Sequence, residues 1–269
     1  MKKSMYLPVI LLGFLYIVSI FIDTNSISIQ LEAKNLPPSL SHLFGTDWLG
    51  RDMFLRTMKG LELSISIGLV TAVVSTVASF LLAILTSIHK KIDQFISWLA
   101  DLFLSLPHLV TLILISFTLG GGVKGVVVGL VLTHWPSLTR VLRAEILQLK
   151  EMNYVKVSKK FGKGFWWQAW YHFLPHLYPQ MLVGFTLIFP HAVLHEASIT
   201  FLGFGLSAEQ PAIGVILSEA MQYLSTGLWW LAFFPGLVLL LIILLFQIGA
   251  KGWKNYFEKD QSYEGIGRD

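Results

Sequence analysis

The sequence predicts an all-α membrane protein with about six transmembrane helices. Hydrophobic residues make up 54% of the 269 positions and charged residues only 13%, whereas an ordinary soluble domain carries roughly 25% charge. The mean hydropathy is +0.66. So few charges cannot keep a chain this apolar in water, but a lipid bilayer accommodates it. The apolar residues also fall into long stretches separated by polar segments.

Six apolar stretches are each long enough to cross the hydrocarbon core of a bilayer, which takes roughly 20 helical residues. They cover 5–22, 61–88, 95–120, 123–141, 181–205 and 228–249. We expect the first to be an uncleaved anchor rather than a signal peptide, because Asp23-Thr24-Asn25 stands where a small-residue cleavage site would be needed. Gly120-Gly121-Gly122 predicts a tight turn between the third and fourth spans.

The spans divide the chain into three regions. We expect an anchor helix and an extracytoplasmic segment over 1–60, a transmembrane core over 61–250 with a loop at about 145–178, and a cytoplasmic tail over 251–269. Two basic residues precede the first span, two lie between the second and third, seven in the long loop and four in the tail, so that 15 of 20 share one side. Cytoplasmic segments carry the excess of Lys and Arg. Both termini are therefore expected in the cytoplasm of a multi-pass plasma (inner) membrane protein.

No catalytic centre can be assembled from the sequence, and we expect no enzyme activity and no cofactor bound by this chain. Gly120-Gly-Gly-Val-Lys-Gly125 lacks the Gly-Lys-Ser/Thr ending of a phosphate-binding loop, and His195-Glu196 lacks the second histidine of a zinc-protease helix. The absence of cysteine excludes disulfides and thiolate metal sites. The net charge of +4 is typical of membrane orientation rather than of nucleic-acid binding.

Two segments outside the spans carry motifs. The outer segment contains Phe44-Gly-Thr-Asp-Trp-Leu-Gly-Arg-Asp52. The inner loop contains Asn153-Tyr-Val-Lys-Val-Ser-Lys-Lys-Phe-Gly162, then nine residues, then His172-Phe-Leu-Pro175. Glycine lets the chain turn between two short helices, and proline begins or ends a helix. The inner loop therefore predicts two short helices joined by a turn.

The inner loop resembles the coupling loop of ABC-importer permeases, written as E-A-A, three residues, glycine, nine residues and I-x-L-P. Gly162, Leu174 and Pro175 match this pattern, whereas the stretch from Lys156 to Ser158 departs from the Glu-Ala-Ala. The outer motif resembles the F-G-T-D-x-x-G-R-D signature of dipeptide, oligopeptide and nickel permeases. Further matches make the resemblance cover roughly residues 44–257. The chain is identified as a member of the ABC-importer permeases of this type, the "C" member of a permease pair.

The resemblance implies the type I importer permease fold and a set of partners. These are a second homologous permease, two ATP-binding subunits that hold ATP and Mg, and an extracytoplasmic solute-binding protein, all at the lipid bilayer. The residues expected to couple to the ATPases are Tyr154, Val155, Gly162, His172, Leu174 and Pro175. An alternative is that this basic loop lies on anionic lipid. The outer signature residues are Gly45, Thr46, Asp47, Gly50, Arg51 and Asp52, whose charges could instead pair structurally.

Histidines within the apolar spans are candidates for the solute pathway. His191 and His195 are four residues apart and share one helix face, with Glu196 about 100° further round. His108 and His134 also lie in apolar stretches. Ionisable groups inside a membrane are costly and often line a path, and neutral imidazole binds nickel, cobalt or zinc. The alternative is that each histidine hydrogen-bonds to a neighbouring helix.

The solute predicted from these histidines is nickel or another transition metal, free or chelated. Di- or oligopeptide is the main alternative, because the resemblance spans both solutes. Two different functional classes remain as rivals: an ATP-independent secondary transporter, which would often show paired repeats, and a membrane scaffold, which would usually carry a larger soluble domain. Neither feature is visible in the sequence.

Overall fold

The computed structural model describes residues 2–23 and 27–266, with side chains over 10–23 and 27–252. The predicted tail therefore lies largely outside the described side chains. The residues described form ten α-helices and a few short turns of other helix types. The α-helices are α1 Lys2–Ile20, α2 Met53–Thr86, α3 Lys90–Ser105, α4 His108–Thr118, α5 Gly122–Glu151, α6 Asn153–Lys160, α7 Phe165–Gln168, α8 Leu174–Phe201, α9 Ile213–Met221 and α10 Trp230–Ile266.

The described residues form mainly long apolar α-helices. This confirms the predicted all-α membrane fold. Four helices are long and apolar enough to cross a bilayer: α2, α5, the stretch Phe165–Phe201 and the stretch Trp230–Gly252. The pair α3 and α4 passes the same test together, which gives up to five spans. The first predicted span appears as α1, of which Ile10–Ile20 is a shorter apolar helix.

The apolar stretch predicted as a span over 95–120 forms two helices, α3 and α4, rather than one straight helix. The chain breaks after Ser105, and α3 and α4 are bent by 102° at this break. Pro107 lacks a backbone N–H and biases Leu106 towards extended backbone, and Leu106 has ψ 146°. The bend places His108 at the first position of α4. The third predicted span is thus a broken span or a re-entrant loop.

The turn predicted at the three consecutive glycines is confirmed. α4 ends at Thr118, and α5 begins at Gly122. Gly120, Gly121 and Gly122 have φ values of +86°, +69° and +66°. Residues other than glycine rarely adopt this left-handed backbone conformation. Three successive glycines therefore allow the chain to reverse here without backbone strain.

The central helix α2 packs against both α5 and α8, and α1 packs against α10. Large apolar side chains fill the main core, among them Leu142, Leu177 and Phe189. α2 itself buries small hydroxyl residues. Ser79 donates to the carbonyl of Trp135 on α5 at 3.0 Å. Small residues at such contacts let membrane helices approach closely, and their hydroxyls add interhelical hydrogen bonds.

Candidate functional site

The predicted coupling loop forms a hairpin of two short helices that continues directly from two long ones. Only Met152 separates the end of α5 from α6. After α6 the chain turns at Gly162, which has φ +76° and open space where a Cβ would lie. α7 then passes through one π-helical turn, Ala169–Phe173, into α8. Because no long linker intervenes, a displacement of this hairpin (residues 153–173) would be transmitted to α5 and α8.

One side of the hairpin is buried in the protein core. Val155 is 3% exposed and lies in the main core cluster with Phe173 and Leu177. Leu174, at the start of α8, packs against the same cluster. Val155 and Leu174, both predicted to couple to ATPases, therefore anchor the hairpin to the helix bundle.

The other side of the hairpin presents aromatic rings. Tyr154 is 48% exposed, and its ring meets that of His172 edge to face at 5.2 Å. Phe161 is 81% exposed and Trp166 is 59% exposed. Pro175 is exposed in the first turn of α8. Exposed aromatic clusters of this kind mark surfaces that a protein partner can bury. Phe161 and Trp166 were absent from the predicted coupling set, although aromatic residues beside a glycine turn were a usable signal.

The carboxylate of Asp47 lies at the centre of the outer signature. It is fully buried and accepts hydrogen bonds from the backbone N–H groups of Leu49 and Arg51, at 2.8 and 2.9 Å. The Nε of Arg51 also donates to it at 2.6 Å, and Nη1 of Arg56 lies 3.3 Å away. This arrangement satisfies a buried charge with both hydrogen bonds and cations, as a buried carboxylate requires.

The remaining signature residues shape the turn that leads into α2. Gly45 and Gly50 have φ values of +72° and +74°. Thr46 is fully buried, and its hydroxyl donates to a backbone carbonyl of the preceding segment. The Asp52 carboxylate caps α2 by accepting from two N–H groups of the first turn, at 2.8 and 3.1 Å. The signature thus positions the outer end of α2.

The outer signature also contacts α9 and the residues that follow it. The sequence did not predict this contact. Arg56 donates to the carboxylate of Glu219, and Nη2 of Arg51 lies 3.7 Å from it. The ring of Trp48 stacks on Tyr223 with ring centres 4.5 Å apart. Acidic residues in a segment without Lys or Arg were the only signal for this contact in the sequence.

Three of the five predicted pathway residues meet inside the helix bundle. His108, His134 and His195 come from α4, α5 and α8, and one imidazole nitrogen of each lies within 4.8 Å of the others. The ring centres are 4.3 Å apart for His108 and His195, 4.9 Å for His108 and His134, and 5.6 Å for His134 and His195. We call these residues the histidine cluster. His191 is exposed at its edge, with its ring centre 6.2 Å from that of His195.

Glu196 lies apart from the histidine cluster. Its side chain is fully buried, and its carboxylate accepts hydrogen bonds from Ser64 at 2.8 Å and Thr200 at 3.0 Å. Both oxygens are thus engaged with hydroxyls, one of them on α2. Glu196 therefore ties α8 to α2, while the histidine beside it points to another neighbour.

The histidine cluster offers only imidazole nitrogens as metal ligands and no carboxylate oxygen. Among the described residues, these three histidines form the one group of His, Asp or Glu close enough to hold a metal ion. Neutral imidazole suits zinc, copper, iron and nickel, whereas magnesium and calcium prefer oxygen ligands. The cluster could therefore hold a transition metal and is unsuited to the alkaline-earth ions.

Comparison with known proteins identifies the family. Residues 75–260 match the family described as "Binding-protein-dependent transport system inner membrane component". The chain belongs to this family. The dipeptide transport system permease protein DppC of Bacillus subtilis is 32% identical over 251 residues, which cover 90% of this chain and 77% of DppC. A Brucella suis protein named as a peptide transport system permease is 30% identical over 90% of this chain and 80% of its own length.

Family membership confirms the general function predicted from the sequence. The protein is a permease subunit of a binding-protein-dependent ABC transport system and spans the inner membrane several times. It is a transport subunit without a catalytic role, and it works with an ATPase and a solute-binding protein. The hairpin, the outer signature and the histidine cluster therefore have to be interpreted as parts of a transporter.

Proposed function

We propose that this permease forms half of a solute pathway and converts ATP binding by its partners into opening of that pathway. The partners are a second homologous permease, two ATP-binding subunits and an extracytoplasmic solute-binding protein. The observation that carries the proposal is the hairpin, with exposed aromatic rings on one side and direct continuity with α5 and α8 on the other. Family membership gives no support to an ATP-independent transporter or a scaffold.

Polar contacts connect α5, which continues from the hairpin, with the neighbouring helices α3 and α2, and they support the transmission of movement into the membrane. Arg143 on α5 pairs with Asp93 on α3, with one of its two contacts at 2.7 Å. Arg140 on α5 pairs with Asp101 on α3. Lys150, near the end of α5, donates to the C-cap carbonyl of α2. A push on the hairpin would therefore move α3 together with α5.

The proposed orientation places both termini and the hairpin in the cytoplasm and the outer signature on the opposite side. The support is the distribution of basic residues, because the hairpin alone carries Lys156, Lys159, Lys160 and Lys163. The ATPases are cytoplasmic in this arrangement, and the solute-binding protein meets the face that contains α9 and the signature.

The solute we propose is a transition metal such as nickel, free or in a small chelate. The histidine cluster supports it, because three imidazole nitrogens that suit a transition metal lie within 4.8 Å of one another inside the bundle. Di- or oligopeptide is the second candidate, because the relatives are named as dipeptide and peptide permeases. An uptake assay with both solute classes in vesicles containing the complete transporter separates the two candidates.

The coupling role is tested with a matched pair of glycine variants. Gly162→Pro removes an N–H that donates to Lys159 at 3.0 Å and cannot adopt φ +76°. Gly164→Ala is the control, because Gly164 has φ −67° and open space at its Cβ. We expect Gly162→Pro, or deletion of 156–164, to reduce uptake at least tenfold and to weaken binding of the ATP-binding subunits to the permease. The chain should remain in the membrane, and Gly164→Ala should transport normally. Normal uptake by a stable deletion variant would refute the coupling role.

A further inference from the structure

We propose that the histidine cluster is a three-imidazole site that holds the metal during its passage and that opens when α4 and α5 move relative to α8. The inference rests on the proposed importer function. It adds the ligand atoms, the form in which the metal travels and the mechanism of release. The histidines come from three different helices, so the site exists only in conformations that bring these helices together.

The separation of the ligand atoms fits a site that is near closure. Nitrogens bound to one tetrahedral ion at about 2.0–2.1 Å lie about 3.4 Å apart. The three imidazole nitrogens lie within 4.8 Å of one another. Small side-chain rotations would therefore close the site around an ion, and a small helix movement would release the ion again. A transport site needs this balance between holding and release.

The hydrogen bonds of the rings leave nitrogens available for a metal. Nδ1 of His134 lies 2.7 Å from the carbonyl oxygen of Leu130, so Nδ1–H donates there and the lone pair of Nε2 stays available. Histidine ligands of metals commonly orient their second nitrogen in this way. Nδ1 of His108 is buried without a hydrogen-bond partner among the described residues. Such an atom indicates a missing ligand or water.

The charge balance of the site favours a chelated ion over a bare one. Three neutral imidazoles cannot compensate a divalent charge inside a membrane, where isolated charges are costly. Both carboxylate oxygens of Glu196 are already engaged by hydroxyls. The remaining coordination positions would therefore be filled by anionic groups that travel with the metal. A small carboxylate-bearing chelator supplies them and fits a family whose relatives are named for peptide transport.

The helices that carry the cluster differ in how they are held. Glu196 fixes this part of α8 to α2 through Ser64. His134 lies on α5, about 25 Å from the hairpin end at about 1.5 Å per residue. His108 directly follows the 102° break between α3 and α4. His134 and His108 thus belong to the helices α3 to α5, which Arg143 and Asp93 connect, whereas His195 lies on α8. Movement of α4 and α5 relative to α8 would open the site.

Cobalt binding to the purified transporter tests the site without using transport as the readout. Co²⁺ gives visible absorption bands that report nitrogen coordination. We expect one Co²⁺ per permease chain when the ion is supplied with a small carboxylate-bearing chelator. We also expect competition by Ni²⁺ and an at least tenfold weaker affinity in His108→Gln and His195→Gln. His176→Gln is the control, because this histidine lies half-exposed on the same helix α8, outside the cluster. If the buried His134→Gln variant fails to fold, the two half-buried positions still decide the outcome.

The outcomes separate the site from the proposed function. Equal Co²⁺ affinity of wild type and the double variant His108→Gln/His195→Gln would overturn the site. Co²⁺ that binds wild type only adventitiously, without nitrogen coordination, would do the same. Nickel uptake that survives in the double variant would also overturn the site but would leave the metal importer intact. Transport of peptides alone would refute the proposed solute. Binding that weakens at least tenfold when the ATPases are trapped with nucleotide would support opening, and equal affinities in both states would contradict it.

Discussion

Arg143 on α5 donates hydrogen bonds to both carboxylate oxygens of Asp93 on α3. Two-point pairs of this kind fix the relative orientation of two helices as well as their distance. α5 leads into the coupling hairpin, and α3 leads to the break before His108. The pair therefore connects the part of the chain that meets the ATPases with the part that carries a proposed metal ligand.

Replacing Asp93 with Asn should uncouple the transporter without unfolding it. The pair is partly exposed, with side-chain exposures of 32% for Arg143 and 22% for Asp93, so its loss should change stability by less than about 1 kcal/mol. We expect uptake to fall several-fold while ATP hydrolysis continues. The exposed Glu209, replaced with Gln, is the control. Uptake and hydrolysis that fall in parallel would argue against a coupling role for the pair.

The two aspartates of the outer signature should respond differently to the same change. Asp47→Asn leaves buried Arg56 short of one carboxylate and should destabilise the protein by on the order of 3 kcal/mol. Asp52→Asn should cost less than about 1 kcal/mol, because Asn caps a helix about as well as Asp. Thermal unfolding in detergent measures both. Equal losses for the two variants would contradict the structural role assigned to Asp47.

Glu196 should prove to be a structural residue rather than a metal ligand. In Glu196→Gln the amide can still hydrogen-bond to Ser64 and Thr200, so folding and Co²⁺ binding should stay close to wild type. Glu196→Leu leaves both hydroxyls without their partner, at a cost of about 1–3 kcal/mol each. Thermal unfolding and Co²⁺ spectra of the two variants test this. A changed Co²⁺ spectrum in Glu196→Gln would place the carboxylate in the metal site.

Labelling of single cysteines should report the orientation directly, because the natural chain has none. Ser41→Cys and Ser207→Cys lie at exposed positions and should react with a membrane-impermeant reagent applied from outside. Lys159→Cys in the hairpin should react only after the membrane is permeabilised. Labelling of Lys159→Cys in intact cells would reverse the proposed topology and separate the hairpin from the ATPases.

Features that depend on a few neighbouring residues were predictable from the sequence. Gly120-Gly121-Gly122 predicted its turn because glycine tolerates positive φ, and the structure confirms the turn. Pro107 interrupts the third apolar stretch, because proline lacks a donor N–H. The size of that disturbance, a bend of 102°, was not predictable, since it depends on what α3 and α4 pack against.

By itself, the sequence determined the membrane class, most of the spans, the family and the loop that leads from α5 to α8. The length of apolar runs, the positions of glycine and proline and the motif spacings are local properties of the chain. Only the tertiary structure brought the three histidines of the cluster together. It also decided that Glu196 accepts a hydrogen bond from Ser64 and that Glu219 accepts one from Arg56. The helix face that meets each neighbour is set by packing between segments far apart in sequence, and no local pattern encodes it.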